Sequence, residues 1–420
     1  METDRAREIE EASYQLDGET PLGPAVQERH NKLYVQRPST DTRWLREAIT
    51  ANRNNRTFHW FYTGHTGAGK STELNIMMAD PKLRRYYLPV YFNIEQELDV
   101  HNLEHTDVLL AMARACVRAA ELEQCPIPEE LKAYMDNWGK EVLSEAEVKT
   151  LTEGTGGLKL DLFFLTLGEQ IKSGGEKRKL IRERLYNDTA AFIRQLDTLA
   201  DALKNRTGRE PLCILDGLDH VDTEPCRKLF VNYYNALTKP KLSKLFVIPL
   251  SLINTDFAAL IEDKHSTLAN IKVFESAHDS RINNEGFGFF KDVVSRYIDL
   301  TYFEAGTLEK LFLLSGGVVR DMIKHTGNAC GYAADDTSET VTLAHVQRVW
   351  DQQQQFYRRI LYESDYEILR KVAENPYPRG MDGLSRLLFQ KAILFYPNGE
   401  GWYGVHPAVH EIIEKPDVHS

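Results

Sequence analysis

Much of what this 420-residue chain lacks narrows its chemistry. Cysteine is scarce: Cys116, Cys125, Cys213, Cys226 and Cys330 are scattered, odd in number and never form a CxxC pair. That pattern speaks against a disulfide framework and a zinc site, and for reduced thiols in a cytoplasmic protein. No apolar run approaches the roughly 18 residues of a membrane-spanning helix. The start, Met1-Glu2-Thr3-Asp4, is acidic and polar, unlike a signal peptide. The expectation is therefore a cytoplasmic location and no membrane partner. Positive charge is in deficit, with 51 Lys and Arg against 62 Asp and Glu, a net charge of −11. Such a chain is a poor non-specific binder of nucleic acid, so any DNA contact has to come from a local patch. Internal repeats and low-complexity tracts are lacking too; the Gln-rich run at 351–356 is short polar helix. The remainder, 42% hydrophobic and 27% charged, is ordinary globular composition with room for two or three domains.

What the chain does contain is concentrated at Gly64-His65-Thr66-Gly67-Ala68-Gly69-Lys70-Ser71. These residues fit the phosphate-loop pattern GxxxxGK[ST] at every fixed position. The context fits as well: an aromatic strand-like segment, Phe58–Tyr62, precedes the loop and a helix-like segment, Ser71–Met78, follows it. Backbone N–H groups of such a loop face phosphate oxygens, and the helix N-terminus adds the positive end of its dipole. The expected contacts to ATP run from Gly64 through Thr72. His65, at a variable position, is expected to lend only its backbone. Lys70 is expected to reach the β- and γ-phosphates, and the Ser71 hydroxyl to ligate Mg²⁺.

Hydrolysis needs a second element. Leu212-Cys213-Ile214-Leu215-Asp216 reads as a buried strand ending in a carboxylate. Asp216 is the expected second Mg²⁺ ligand, carried by the strand beside the phosphate loop. Many ATPases place a glutamate directly after this aspartate; here Gly217 stands there, and the next acid is Asp219. Asp219 is expected to polarise the attacking water if the chain turns sharply at Gly217; capping of the next turn is the alternative. The guanine-specifying Asn/Thr-Lys-x-Asp pattern does not follow the later strands, which favours ATP over GTP.

Along the chain, residues 1–40 read as a polar N-terminal extension containing the basic-aromatic stretch Tyr34–Pro38. Residues 41–285 read as a phosphate-loop ATPase core, with a helix over 42–49 and strands over 87–94, 212–216 and 244–252. Residues 105–122 read as helix. An insertion of less regular pattern spans about 126–185, in which Leu158-Lys159-Leu160-Asp161-Leu162-Phe163 alternates like an exposed strand. Helix resumes over 186–205. Strands alternating with helices imply an α/β fold, a parallel sheet flanked by helices with ligands at the strand C-terminal ends. Residues 286–355 read as a helical lid. Residues 356–420 read as a winged-helix-like domain: helices over 365–374 and 382–392, then a hairpin at 396–403 with an Asn398-Gly399 turn.

The phosphate loop with Thr72-Glu73-Leu74, the run Asp216-Gly217-Leu218-Asp219, and Leu314-Ser315-Gly316-Gly317-Val318-Val319-Arg320-Asp321 together resemble the AAA+ and STAND-type branch of P-loop ATPases. The style is that of the prokaryotic, origin-recognition-like members with a C-terminal winged helix, over roughly residues 35–415. The resemblance implies a sensor at Ser251 or Asn254, at the end of the fourth strand, facing the γ-phosphate. It implies a second sensor at Arg320 on the lid, and an arginine such as Arg281 or Arg296 acting on a neighbouring subunit of a homo-oligomer. It further implies a role in antiviral defence or signalling, with a protein effector as partner. Ser173-Gly174-Gly175-Glu176-Lys177 resembles a transporter-type signature loop but lies 43 residues before Asp216 (216 − 173), and is read as a polar glycine-rich loop.

DNA binding is the competing class: a loader, replication or transposition ATPase. Residues 356–420 hold eight Lys/Arg and nine Asp/Glu, and the candidate recognition helix carries only Arg386 and Lys391. Phosphate contacts dominate DNA affinity, so this balance disfavours DNA without removing it. The expected function is a Mg²⁺-dependent ATPase that switches a partner. The third reading, an ATP-binding scaffold without turnover, rests on Gly217.

Overall fold

The computed structural model describes residues 6–22, 32–152, 159–378, 380–397 and 401–414. The chain forms two compact units, one made of Thr42–Thr63 and Met78–Ser266, the other of Met1–Asp41, Gly64–Met77 and Thr267–Ser420.

The first unit is built on a sheet of β1 (His59–Thr63), β2 (Tyr87–Asn93), β3 (Glu210–Asp216), β4 (Ser243–Val247) and β5 (His265–Thr267). The strand order is β2-β3-β4-β1-β5. β1 with β4, β4 with β3, and β3 with β2 pair in parallel, and Asn93 stands level with Asp216. Every residue of β3 is buried, as expected of a strand covered by helices on both faces. Phe61 of β1 organises the core, its ring 5.3 Å from Phe246 and 5.2 Å from Phe257. This five-stranded parallel sheet flanked by helices is the α/β phosphate-loop NTPase fold.

Several expectations need correction. β4 lies between β1 and β3, so the strand that ends in Asp216 is not the direct neighbour of the strand that leads into the phosphate loop. The fourth strand stops at Val247; Pro249 has no N–H to continue a ladder, and a 3₁₀ turn, Leu250–Asn254, follows. Residues 160–163 are not strand: they open the helix Leu160–Ser173, which buries Leu160, Phe163, Phe164, Leu167 and Ile171 at helical spacing. Around it, the stretch read as less regular is helical over Glu129–Val142, Glu145–Thr152 and Gly175–Thr207. Arg182 ties this layer to the helix His105–Leu122, donating to the buried Asp107 carboxylate at 3.1 and 2.6 Å. Ser173–Lys177 is not the polar loop expected: Ser173 ends one helix, Gly174 alone joins it to the helix that starts at Gly175, and both glycines have positive φ.

The second unit strings the helices Asn284–Ser295, Thr307–Leu314, Val319–Asp335 and Leu343–Ile360. β6 (Phe274–Ser276) and β7 (Asp279–Ile282) form a small antiparallel ribbon ahead of them. Helices Glu363–Glu374 and Leu384–Phe389, the antiparallel pair β8 (Ile393–Tyr396) and β9 (Trp402–Val405), and the helix Pro407–Glu414 complete a winged-helix arrangement. The candidate recognition helix is shorter than the 382–392 expected, because Gly383 starts it at φ +85° and Lys391 follows at φ +60°. Its wing turn at Asn398-Gly399 lies outside the described residues. The N-terminal segment belongs to this unit: its helix Ile9–Gln15 packs along Val319–Asp335, and Ala6 N–H donates to Tyr297 O at 2.7 Å.

Candidate nucleotide site

The phosphate loop opens into the helix Lys70–Ala79, so its backbone N–H groups and a helix N-terminus converge on one place. Lys70 is buried and its ammonium curls back to donate to Gly64 O at 2.9 Å and His65 O at 3.0 Å. Phosphate oxygens are the natural competitors for those donors. The Thr72 hydroxyl accepts from Leu22 N–H at 3.1 Å, and Asn75 donates to Leu22 O at 3.1 Å. The N-terminal segment therefore clasps the loop's own helix.

Arg37 was legible in the sequence only as part of a basic-aromatic stretch. In the structure its guanidinium is buried and donates to Ala68 O in the loop and to Ala269 O. A planar fork on two carbonyls fixes the loop from beneath in a way a lysine would not reproduce. Nearby Glu73 is buried, which pushes its carboxyl up, and it accepts from the Tyr34 hydroxyl at 3.4 Å.

The lid meets the loop at Gly67. Arg320 N–H, in the first turn of Val319–Asp335, donates to Gly67 O at 2.9 Å. Gly67 has φ +87°, and a Cβ added there would lie 2.9 Å from Arg320 Cβ, so only glycine admits this approach. His65 does more than lend its backbone, which corrects the expectation. Its Nε2 accepts from Phe395 N–H of β8 at 2.8 Å. Burial, with Lys391 and Lys70 beside it, pushes the imidazole down to about 3. The ring is thus neutral, with its proton on Nδ1. Behind it Lys391 pairs with Asp321 at 2.6 Å, and the buried His325 and His406 complete a polar cluster. Burial opposes ionisation of Asp321, but Lys391 and His325 outweigh it and hold the carboxyl below its ordinary value.

In the sheet unit, Asp216 ends β3 almost wholly buried. Its Oδ2 accepts from Tyr91 O–H at 2.8 Å and its Oδ1 from Gly217 N–H at 2.9 Å. Burial and the Asp216 charge push the Tyr91 phenol up, so it remains a donor. The chain turns at Gly217, φ +90°, into the 3₁₀ turn Leu218–His220 that carries the buried Asp219. Ser251 is buried in its own 3₁₀ turn, its hydroxyl bonded to that of Thr223. Neither Arg281 nor Arg296 is buried; Arg281 pairs with Asp279 two residues away at 2.6 Å.

No protein-family model matches this chain, and no curated protein does. Solved structures resemble it over nearly its whole length. A Drosophila origin recognition complex bound to DNA has TM-score 0.37 and 12% identity, covering 95% of this chain and 90% of that one. Cdc6p from Pyrobaculum aerophilum has TM-score 0.42 and 11% identity, covering 91% and 96%. The Aeropyrum pernix Orc1 protein in complex with DNA has TM-score 0.40 and 12% identity, covering 98% and 97%.

The second unit thus brings together the phosphate loop, Arg320, Arg37 and the wing strand β8, while the sheet unit carries Asp216, Asp219 and Ser251. The Ser71 hydroxyl and the Asp216 carboxylate are each oxygen donors of the kind a magnesium ion takes. Mg²⁺ is commonly held by one or two protein groups plus water and phosphate oxygens. No helix among the described residues is long and apolar enough to cross a membrane.

Proposed function

We propose that this chain is a Mg²⁺-dependent ATPase that works as a regulatory switch on a protein partner. The observation that carries the reading is the grip on the phosphate loop: lid Arg320 N–H on Gly67 O and wing Phe395 N–H on His65 Nε2. Filling the loop with phosphates shifts the carbonyls and the ring those donors hold, and lid and wing move with them. In this reading Gly64 to Thr72 bind the triphosphate, Lys70 neutralises its β- and γ-oxygens, and Ser71 and Asp216 hold the metal. Bound Mg²⁺ would supply charge neutralisation at the β- and γ-phosphate oxygens. Arg320 and Ser251 act as sensors, and homo-oligomers bring Arg281 or Arg296 to a neighbour's nucleotide. A defence or signalling effector suits such a switch.

The DNA-assembly reading is weaker, because both cations of the short candidate recognition helix and its end are spent internally. Arg386 is ion-paired with the buried Asp365 and lies over the Tyr362 ring, and Lys391 holds Asp321. The test is ATP turnover by the purified protein, with and without duplex DNA, against Lys70→Ala. We expect turnover that Lys70→Ala abolishes and duplex DNA leaves unchanged. Strong stimulation by DNA would move the assignment to the assembly factor. ATP binding without turnover would leave a scaffold.

A further inference from the structure

The residue after Asp216 is glycine, so a water-polarising carboxylate has to come from elsewhere. Gly217 has φ +90°, and a Cβ built there would lie 2.9 Å from Asn93 Oδ1 and 3.4 Å from Glu95 Cγ. The volume that a side chain at 217 would enter is therefore already held by two residues from the end of β2. Asn93 is level with Asp216 in the sheet, and Glu95 lies just past the strand, as Gly217 lies just past β3. A carboxylate reaches this corner from the neighbouring strand instead of from the residue after Asp216.

The three acids at this strand end differ in what they can do. Asp216 is buried and accepts from Tyr91 O–H and Gly217 N–H. Asp219 has a side chain only 6% exposed. The Glu95 side chain is 39% exposed, and its Oε1 accepts from His220 Nδ1 at 2.6 Å. His220 Nε2 in turn lies 3.8 Å from Asp219 Oδ2. Glu95 thus has a water-accessible carboxylate, aimed by an imidazole, beside the metal-ligand candidate.

We propose that Glu95 is the carboxylate that polarises the attacking water, taking the part assigned from sequence to Asp219, with His220 as its positioning residue. The proposal rests on the ATPase reading above. In the step, the water oxygen bonds to the γ-phosphorus as the bond from that phosphorus to the β,γ-bridging oxygen breaks. The water proton passes to a Glu95 oxygen and then to the released phosphate, and the products are ADP and inorganic phosphate. His220 donates its Nδ1–H to the carboxylate and fixes which oxygen faces the water.

The test is single-turnover hydrolysis of ATP, with ATP affinity measured in parallel, on wild type, Lys70→Ala, Glu95→Gln, Asp219→Asn and His220→Ala. Glu95→Gln is expected to slow hydrolysis by about 10²–10⁴-fold while leaving ATP affinity unchanged, the loss typical of a missing general base. Asp219→Asn and His220→Ala are expected to cost far less. Glu95→Gln with near wild-type turnover overturns the proposal, as does parallel loss of ATP binding. A loss at Asp219→Asn greater than at Glu95→Gln returns the role to Asp219. A loss at His220→Ala as deep as at Glu95→Gln makes the imidazole the base. Wild type that binds ATP yet turns over no faster than Lys70→Ala fails differently: the ATPase reading falls, and the role of Glu95 with it.

Discussion

At the scale of single residues, Gly217 shows why this chain departs from the usual acid after the metal aspartate. Its backbone is left-handed, and Asn93 Oδ1 stands where a Cβ would need room. A glutamate there meets both obstacles. Glu substituted at Gly217 is therefore expected to lower unfolding free energy by about 1–3 kcal/mol, the usual scale for a non-glycine residue forced into such a conformation. Chemical denaturation measures it, and an unchanged midpoint would show that the turn relaxes freely. The same substitution should not raise ATP turnover. The sequence made the departure visible, since Gly217 is adjacent to Asp216 in the chain. It could not reveal Glu95 or Arg37, whose relevance depends on strand pairing and on contacts across 31 and 232 residues.

At the scale of elements, the parts read correctly carry their signal locally. The strand of aromatics, the glycine loop and the helix after it are contiguous, and β3 declares itself by unbroken burial ending in a carboxylate. The helix over 105–122 is matched by His105–Leu122. The 158–163 stretch misled because six residues of alternation are too few to separate a period of 2 from 3.6; Phe163, Leu167 and Ile171 lie on the helical stripe. The coupling of β8 to the loop through His65 lies 330 residues apart in sequence and has no local signal. It is testable as an element. His65→Leu leaves the part-buried Phe395 N–H without its acceptor, a loss of about 1–3 kcal/mol at full burial and toward the lower end here. Hydrogen exchange in the Ile393–Tyr396 strand should quicken by up to about tenfold, since about 1.4 kcal/mol is tenfold. Unchanged exchange there would separate the wing from the loop.

At the scale of the whole molecule, the buried histidines set how stability depends on pH. His65 and His406 are pushed by burial from 6.5 down to about 3, and His325 by burial to about 4. Between those values and 6.5 the unfolded chain binds protons that the folded chain refuses. Stability is then fully present above about pH 6.5 and declines as pH falls through the window, because the unfolded state gains protons first. Asp321, whose carboxyl is held below its ordinary value chiefly by Lys391 against the opposing effect of burial, pushes the same way at lower pH. From pH 6.5 to 5.5 each fully buried histidine costs on the order of 1 kcal/mol. Tm should therefore be flat between pH 7 and 8 and fall steadily from 6.5 to 5, before most carboxylates titrate. Scanning calorimetry of wild type beside His406→Gln checks this: the variant should lose part of the slope. A Tm that holds or rises toward pH 5 would mean that the cluster around Asp321 and Lys391 opens to water and takes up protons, and the loop, lid and wing would then not be joined by a closed polar core.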